Sequence, residues 1–340
     1  MIKSKYDNID LLKFIAIICV IFIHIVSGDL YKYGIIPNKY WNVANVINSL
    51  SRVCVPVFVM VSGALLLSKD ESMKNFFKKR FLRIIPSFLL FSIFYYLIDI
   101  YYLEQKNTNF IIYMLQGKIF YHLWYIYMIL GIYLLVPFFR KVVYNIENKY
   151  ILYFIIVWFL FMILIPFLEF ITKINFKVYN PVGQYIGYFI LGYYLINMDT
   201  KIFINKHKTL ITINILFTLL TILLSYYYTK SENKLLDYFY NYHSITVFFQ
   251  SISIYLVVIN LNFQNFLKNR KILKKTVDEI SRLSFNIYLI HPIILLILER
   301  NIKLTMNYIV YIIFSFFITI LLSYIVAKIF EYLLLYRRRN

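Results

Sequence analysis

Apolar residues along this chain fall into about ten runs, each close to twenty residues long and separated by short polar segments. An α-helix of that length crosses the ~30 Å hydrocarbon core of a bilayer. The pattern therefore predicts an all-α integral membrane protein with about ten transmembrane helices. The runs lie near residues 10–28, 45–68, 84–103, 122–139, 150–170, 181–197, 209–228, 242–260, 282–299 and 306–329.

Composition strengthens this prediction and bounds the domain organisation. Of the 340 residues, 61% are hydrophobic and 15% are charged, a balance that suits a chain exposing apolar surface to lipid. The polar links are too short for another folded domain, so we expect one transmembrane domain over residues 1–340 and no additional soluble domain. The first run contains Lys13 and His24 and lacks a small-residue cleavage site, which favours a membrane helix over a signal peptide.

The net charge of +20 is distributed unevenly between the two predicted sides of the membrane. With the N-terminus inside and alternating helices, 24 of the 36 Lys and Arg residues lie on the inner side and ten on the outer side. This bias follows the positive-inside rule and predicts cytoplasmic N- and C-termini. The charge is therefore explained by topology and by anionic membrane lipids, and we expect no nucleic-acid partner.

Two ionisable residues of the first run are candidates for function, because such groups are costly inside a membrane. Lys13 and His24 are eleven positions apart, which puts both on one helix face about 16 Å apart along the axis. That face would link the cytoplasmic side to the outer side. The alternatives are that Lys13 extends to the inner headgroups and that His24 is a hydrogen-bonded packing residue.

The second run contains Arg52, which needs an anionic partner or a water-filled cavity. A substrate group or a carboxylate from another helix could supply the negative charge. Ser62 and Gly63 lie toward the inner end of the same run. Small residues allow close helix packing, which we favour for this pair, although a Ser-Gly step can also open a helix.

Further polar residues lie at the ends or near the middle of other runs. Arg80 and Arg83 share a helix face, and two guanidinium groups suit phosphate; the alternative is a solvated, lipid-facing surface. His291 precedes Pro292 near mid-membrane and is either a cavity residue or a packing residue. His122 and Trp124 open the fourth run and are further candidates. The last candidates are two carboxylates at the outer ends of runs, Glu169 and Glu299, which could orient a histidine or pair with Arg52.

Several of these segments resemble the membrane-bound acyltransferase 3 family, in the order in which the family carries them. IDLLKFIAIICVIFIH resembles the family's opening helix, with an acidic residue, a basic residue and, after ten further residues, a histidine at Asp10, Lys13 and His24. The other similar segments are VFVMVSGALLL (57–67), RFLR (80–83), HLWYIYMILGIYLLVP (122–137) and SFNIYLIHP (284–292). The subgroup that they most resemble is the enterobacterial common antigen O-acetyltransferase type.

The resemblance implies an O-acyltransferase that moves an acetyl or other short acyl group from cytoplasmic acyl-CoA to a cell-surface or lipid-linked saccharide. It implies a multi-pass protein of the bacterial cytoplasmic membrane with no permanently bound cofactor and no metal. Acyl-CoA is the co-substrate. Many relatives carry an extracytoplasmic relay domain, so this chain is expected either to deliver the acyl group itself, alone or as a homo-oligomer, or to use a separate relay partner.

The same resemblance suggests roles for the candidate residues. His24 would act as general base or acyl carrier, and Lys13 would mark the inner end of the channel. The acyl-CoA set, with Lys78 assisting, is Lys79, Arg80, Arg83, Ser62 and Gly63. The acceptor set is Arg52, His122, Trp124, His291 and Glu169.

Two functions of other classes fit the same polar residues. A transporter of a saccharide, lipid or small acid would also bury Lys, Arg and His around a midplane site, without any need for acyl-CoA. A helper subunit that only positions another enzyme would use His24 for complex formation rather than for chemistry. Loss of acyl-CoA turnover on replacing His24 would separate the enzyme from both alternatives.

Overall fold

A computed structural model describes residues 2–101, 109–176, 183–198, 206–261 and 263–339. The chain divides into two compact units. The first unit comprises Met1–Ala64 and Asn148–Asn340, and the second comprises Leu65–Glu147. Nearly all described residues outside the short connections are helical, and the described residues contain no β-strand.

The described helices follow the chain in a simple order. In the first unit they are α1 (Ile2–Leu30), α2 (Asn38–Ser51), α3 (Cys54–Leu67, which crosses the boundary between the units), α7 (Asn148–Phe159), α8 (Ile165–Thr172), α9 (Ile186–Asn197), α10 (His207–Glu232), α11 (Ile245–Ile259), α12 (Phe263–Leu267), α13 (Lys271–Asn301) and α14 (Tyr308–Arg339). The second unit holds α4 (Met73–Tyr101), α5 (Phe110–Leu115) and α6 (Trp124–Asn145). A π-helical turn over Leu160–Leu164 joins α7 to α8, and a 3₁₀ turn over Tyr238–Tyr240 precedes α11.

The long helices confirm the predicted class of all-α integral membrane protein. Within the described ranges, nine helical segments are long and apolar enough to cross a membrane. The remaining predicted run, 181–197, is the sixth along the chain and corresponds to the twelve-residue helix α9. At 1.5 Å per residue α9 is about 18 Å long, shorter than the bilayer core, and most of its side chains are buried within the protein.

The second predicted run differs from a single continuous helix. It starts at Asn38 and is interrupted at Arg52 and Val53, between α2 and α3. Pro56 lies in the first turn of α3, where its missing N–H costs no hydrogen bond. Ser62 and Gly63 lie inside the continuous part of α3, so the helix opens at Arg52 rather than at the Ser-Gly step.

Helices α1 and α13 run side by side in the same direction. Asp10 on α1 accepts a hydrogen bond from Ser281 on α13, and farther along both helices Asp29 accepts one from Lys303, just beyond α13. A parallel pair is what alternation from a cytoplasmic N-terminus gives for the first and ninth crossings. The short helix α9 must then count as one crossing, because without it α13 would be the eighth.

Hydrogen bonds near the two ends of α11 show in which direction α9 runs relative to α11. His243 contacts the carbonyl oxygen of Gln184 at one end, and Tyr255 donates to the carbonyl of Gly192 at the other. The two helices therefore run in the same direction. The C-terminal end of α11 lies at the N-terminal end of α1, where Asn8 donates to the carbonyl oxygen of Ile259, so α9 runs opposite to α1. This orientation agrees with α9 as the sixth crossing.

Candidate active site

The centre of the candidate site in the first unit is a pair of histidines on the parallel helices α1 and α13. The rings of His24 and His291 have centroids 5.2 Å apart and are tilted by 38° to each other. His291 is fully buried, and His24 is half-buried. Sequence reasoning gave both residues separately as candidates; the fold brings them together.

The backbone of α13 determines the tautomer of His291. Its Nδ1 atom lies 2.8 Å from the carbonyl oxygen of Tyr288 and 3.2 Å from that of Ile287. Carbonyl oxygens only accept hydrogen bonds, so Nδ1 carries the proton and the neutral ring keeps Nε2 as an acceptor. Pro292, the next residue, leaves the carbonyl of Tyr288 without its helical N–H partner, which frees that oxygen for the imidazole.

Arg52 lies at the break between α2 and α3, close enough to His24 to interact with it electrostatically. Its Nη2 donates to Oδ1 of Asn48 over 2.9 Å. The guanidinium carbon lies 5.2 Å and 5.6 Å from the ring centroids of Tyr240 and Tyr242. Its buried Nε has no hydrogen-bond partner in the described structure. The loss of helical geometry at Arg52 places the side chain among these groups.

A buried polar network holds α2 in place beside this arginine. Asn45 accepts hydrogen bonds from Ser49 over 3.1 Å and from the Tyr240 hydroxyl over 2.7 Å. Gln250 donates to the carbonyl of Ser49 and to Thr218. Networks of this kind fix geometry when their donors are satisfied. The Tyr240 ring against Arg52 is therefore positioned by the same contacts that join α2 to α10 and α11.

Lys13, at the predicted inner end of α1, has a carboxylate partner. Its ammonium group lies 3.1 Å from Oδ1 of Asp10, and the same oxygen accepts a 2.6 Å hydrogen bond from Ser281. The Lys13 side chain is 24% exposed. Helix α13 is therefore next to α1 near both residues: Ser281 of α13 binds Asp10, the partner of Lys13, and His291 of α13 lies beside His24.

The outer carboxylates have partners other than those considered from the sequence. Glu299 binds Lys303 over 2.9 Å, and Lys303 also binds Asp29 over 2.8 Å. Burial opposes the charge of Lys303, but the hydrogen bonds that its ammonium group donates to Asp29 and Glu299 outweigh the effect of burial and raise the pKa of Lys303. Glu169, proposed for the acceptor set, accepts a hydrogen bond from the backbone N–H of Phe176.

The second unit contains a cluster of basic side chains around Glu71. Lys79 binds its Oε1 over 2.7 Å, and guanidinium nitrogens of Arg80 and Arg140 each lie 3.7 Å from its Oε2. Arg140 is 5% exposed and also donates to the carbonyl oxygens of Leu66 and Glu71. The cluster therefore holds three cations against one carboxylate, a charge balance that suits a polyanion.

Electrostatics within this cluster follow from that imbalance. The hydrogen bond from Lys79 and the charges of Arg80 and Arg140 hold the pKa of Glu71 below its ordinary value, although burial opposes this. Burial and the nearby cations lower the pKa of Lys69. Arg83 is exposed on α4, and its described contact is the carbonyl that accepts from Ser87.

The other two residues predicted for the acceptor set belong to the second unit. His122 is buried against aromatic rings, with the Tyr95 centroid 4.9 Å away and the Phe120 centroid 5.7 Å away. Trp124 begins α6 and is 37% exposed, as an interfacial tryptophan would be. Among the described residues, no group of three His, Cys, Asp or Glu side chains could hold a metal ion.

Three residues with pronounced electrostatic roles were missed in the sequence analysis: Asp29, Glu71 and Arg140. Asp29 is 2% exposed at the end of α1, and its position at the end of an apolar run resembles that of an ordinary surface residue. Glu71 and Arg140 are 69 positions apart in sequence. The signal that could have identified Arg140 is its place in the last turns of a helix, where a charge is within reach of an adjoining loop.

The comparisons with known proteins agree with the sequence motifs. The acyltransferase domain model of the acyltransferase 3 family matches residues 6–328. No curated protein and no solved structure matches the chain. The motifs that carry Lys13, His24, Arg80, His122 and His291 all lie inside the matched region. Because the match covers nearly the whole of a chain built from membrane-spanning helices, the protein belongs to the acyltransferase 3 family and is a multi-pass membrane acyltransferase.

Proposed function

We propose that the protein transfers an acetyl or other short acyl group from cytoplasmic acyl-CoA to a hydroxyl of a cell-surface or lipid-linked saccharide. The main support is the position of His24 beside His291 and Arg52 among membrane-spanning helices of a chain from an acyltransferase family. The proposed setting is the bacterial cytoplasmic membrane. The proposed subgroup is the enterobacterial common antigen O-acetyltransferase type, whose segments this sequence resembles.

In this proposal His24 acts as general base on the acceptor hydroxyl. The hydroxyl oxygen attacks the thioester carbonyl, the new C–O bond forms and the C–S bond breaks. The hydroxyl proton passes to His24 and then to the departing CoA thiolate. Imidazole suits this sequence because its ordinary pKa lies near neutrality. The alternative course within the same proposal is transient acylation of His24 followed by transfer to the acceptor.

His291 would be a positioning residue for this chemistry. Because its Nδ1–H is held by two backbone carbonyls, its ring has a fixed orientation. A fixed ring 5.2 Å from that of His24 limits the rotamers available to the base.

Donor recognition is proposed for the basic cluster of the second unit. Arg80 and Arg140 present guanidinium groups, and Lys79 adds an ammonium group, so the cluster can meet several phosphate oxygens at once. Glu71 would be the internal anion that phosphate displaces. In the first unit, Lys13 is proposed to mark the inner end of the α1 face that leads to His24.

The experiment that tests the function uses purified protein in liposomes with radiolabelled acetyl-CoA outside. Label is followed into free acetate and into added lipid-linked saccharides, for the wild type and His24→Ala. We expect the variant to lose about 10²- to 10⁴-fold in turnover, as general bases do. A matched control is His207→Ala, which removes a histidine from the start of α10 in the same unit.

Three outcomes would redirect the proposal. Near-normal turnover by correctly folded His24→Ala protein would contradict the role of His24. Absence of acetyl-CoA binding and turnover in the wild type would instead favour a transporter or a helper subunit. Binding of acetyl-CoA without turnover would indicate that an acceptor or a separate acyl-relay partner is required.

A further inference from the structure

Arg52 has hydrogen-bonding capacity that the described structure leaves unused. A guanidinium group carries five N–H donors. The described contacts satisfy Nη2, through Asn48, and leave the buried Nε without a partner. An unsatisfied buried N–H group destabilises a fold, and more so when the group is charged. Such an arrangement is kept where a ligand completes it.

The charge of Arg52 is also unmatched by the residues that the structure describes. No described carboxylate lies within 4.0 Å of the guanidinium nitrogens. Three carboxylates at the predicted outer side have other partners: Asp29 and Glu299 bind Lys303, and Glu169 binds the N–H of Phe176. Of the two sources of negative charge that the sequence allowed for Arg52, a carboxylate from another helix is not found in the described structure.

The surroundings of Arg52 orient the guanidinium without neutralising it. The rings of Tyr240 and Tyr242 lie within cation–π distance of the guanidinium group, and this attraction to the ring faces leaves its in-plane N–H donors unused. The Tyr240 hydroxyl is anchored to Asn45 and Asn48 holds Nη2, so the guanidinium plane is supported on two sides. A guanidinium group held in this way, with N–H donors left unused, can bind a carboxylate or a phosphate through paired hydrogen bonds.

We propose that the acceptor is an acidic saccharide, whose carboxylate or phosphate group binds Arg52 while a neighbouring hydroxyl is presented to His24. The presentation of a hydroxyl to His24 rests on the proposed acyl transfer. The binding of an anionic group by Arg52 does not depend on that function. Arg52 is a specificity-determining residue in this view. The anionic group supplies the negative charge that the described protein residues do not.

The test measures binding in the absence of acyl-CoA, so that its result does not depend on acyl transfer. The probes are decyl glucoside, decyl glucuronide and decyl glucoside 6-phosphate, titrated calorimetrically into protein in nanodiscs at 0.15 M salt. We expect both acidic probes to bind the wild type about tenfold or more tightly than the neutral one. The comparison of carboxylate with phosphate shows which anion the site prefers.

Variants connect that preference to Arg52. Arg52→Gln should reduce the ratio of acidic to neutral affinity to about one, and Arg52→Lys should retain part of it because it keeps the charge but loses the fork. Arg300→Gln removes an exposed arginine from the end of α13 and should leave the ratio unchanged. This control accounts for general attraction of acidic amphiphiles to a chain of net charge +20.

The proposal is overturned if the wild type binds acidic and neutral probes equally, or if folded Arg52→Gln keeps the full preference. Should Arg52→Gln not fold, the wild-type ratio and the Arg52→Lys variant still decide. If Arg52 acted instead on the reacting oxyanion, its replacement would slow transfer to acidic and neutral acceptors equally and leave binding intact. An anion preference in a protein that shows no acyl transfer would support this site and count against the proposed function alone.

Discussion

The imidazole rings of His24 and His291 lie 5.2 Å apart on two helices that run in the same direction. The parallel arrangement means that α1 and α13 contact each other at matching depths along their length. Their contacts include Asp10 with Ser281 toward the inner end and Asp29 with Lys303 at the outer end. Polar bonds on either side of the histidine pair therefore hold the two rings at one level.

The first prediction concerns His291 as a positioning residue. His291→Ala should lower kcat for acyl transfer by about 10- to 100-fold, with little change in the KM for acyl-CoA, because orientation of the base is lost while donor binding is retained. His291→Asn can keep a donor near the carbonyls of Tyr288 and Ile287 and should recover part of kcat. Steady-state kinetics over a pH series provide the measurement.

The control for this prediction is again His207→Ala, and each variant is compared at equal folded fraction. A role in packing alone would lower thermal stability without changing kcat per folded molecule. A rise in KM with unchanged kcat would show that His291 binds substrate rather than orients His24.

Hydrophobic patterning identified the membrane class because bilayer thickness imposes one length on every crossing helix. It could not identify the break at Arg52, since that break depends on partners from α10 and α11 that are far away in sequence. Pro56, the obvious local cause of a break, is accommodated in the first turn of α3. The predicted run 181–197 is longer than helix α9, which begins at Ile186, because an apolar run does not show at which residue the helical geometry begins.

The candidate site was predicted as separate residues rather than as an arrangement. Single costly side chains such as His24 and Arg52 are visible in an apolar run because few charged residues occur there. The pairing of His24 with His291 depends on α1 meeting α13, which no local pattern contains. Asp29 and Glu71 were missed because both lie at run ends, where an acidic residue is ordinary.

The second prediction separates helix packing from acyl-CoA binding at Gly63. A Cβ atom on Gly63 would overlap with the carbonyl oxygen of Phe189, and one on Gly192 would overlap with that of Met60. Gly63→Ala and Gly192→Ala should each destabilise the fold by about 1–3 kcal/mol, because α3 and α9 would have to separate. Thermal melting in detergent measures the effect.

The matched control for these glycines is Gly131→Ala. Gly131 lies in α6 with open space where a Cβ would be, so the substitution should be neutral or stabilising by about 0.5–1 kcal/mol. If Gly63→Ala melts like the wild type but binds acyl-CoA weakly, packing is not the role of Gly63 and the binding assignment gains support.

The third prediction concerns the ion pair that joins α1 to the loop after α13. Asp29 is 2% exposed and bonds to Lys303 over 2.8 Å. Asp29→Asn and Lys303→Met should each destabilise the fold by about 1–3 kcal/mol, because each removes one partner of a buried charge, and the remaining contacts, Lys303 with Glu299 and Asp29 with Lys32, replace that partner only in part. The double variant should be more stable than the sum of the single effects implies. A double-mutant cycle of melting free energies gives the coupling, and strictly additive losses would exclude it.

The last prediction uses the low pKa of Glu71. A carboxylate whose pKa is lower in the folded state stabilises the fold above its unfolded pKa of ~4.3, and that contribution is lost as the pH falls through the folded pKa. Glu71→Gln should therefore cost about 1–3 kcal/mol at pH 7, and the cost should shrink as the pH falls below about 4 toward the folded pKa, because the wild-type carboxylate then begins to gain its proton. Melting curves at pH 7 and pH 3.5 make the comparison.

Exposed Glu147→Gln in the same unit should change stability by less than about 0.5 kcal/mol at either pH. Glu71→Gln should also bind CoA more tightly than the wild type, because the basic cluster loses the anion that competes with phosphate. An equal loss of stability at both pH values would show that Glu71 acts through packing instead of charge. Tighter CoA binding together with lower stability would establish that one carboxylate both holds the empty cluster together and opposes the donor.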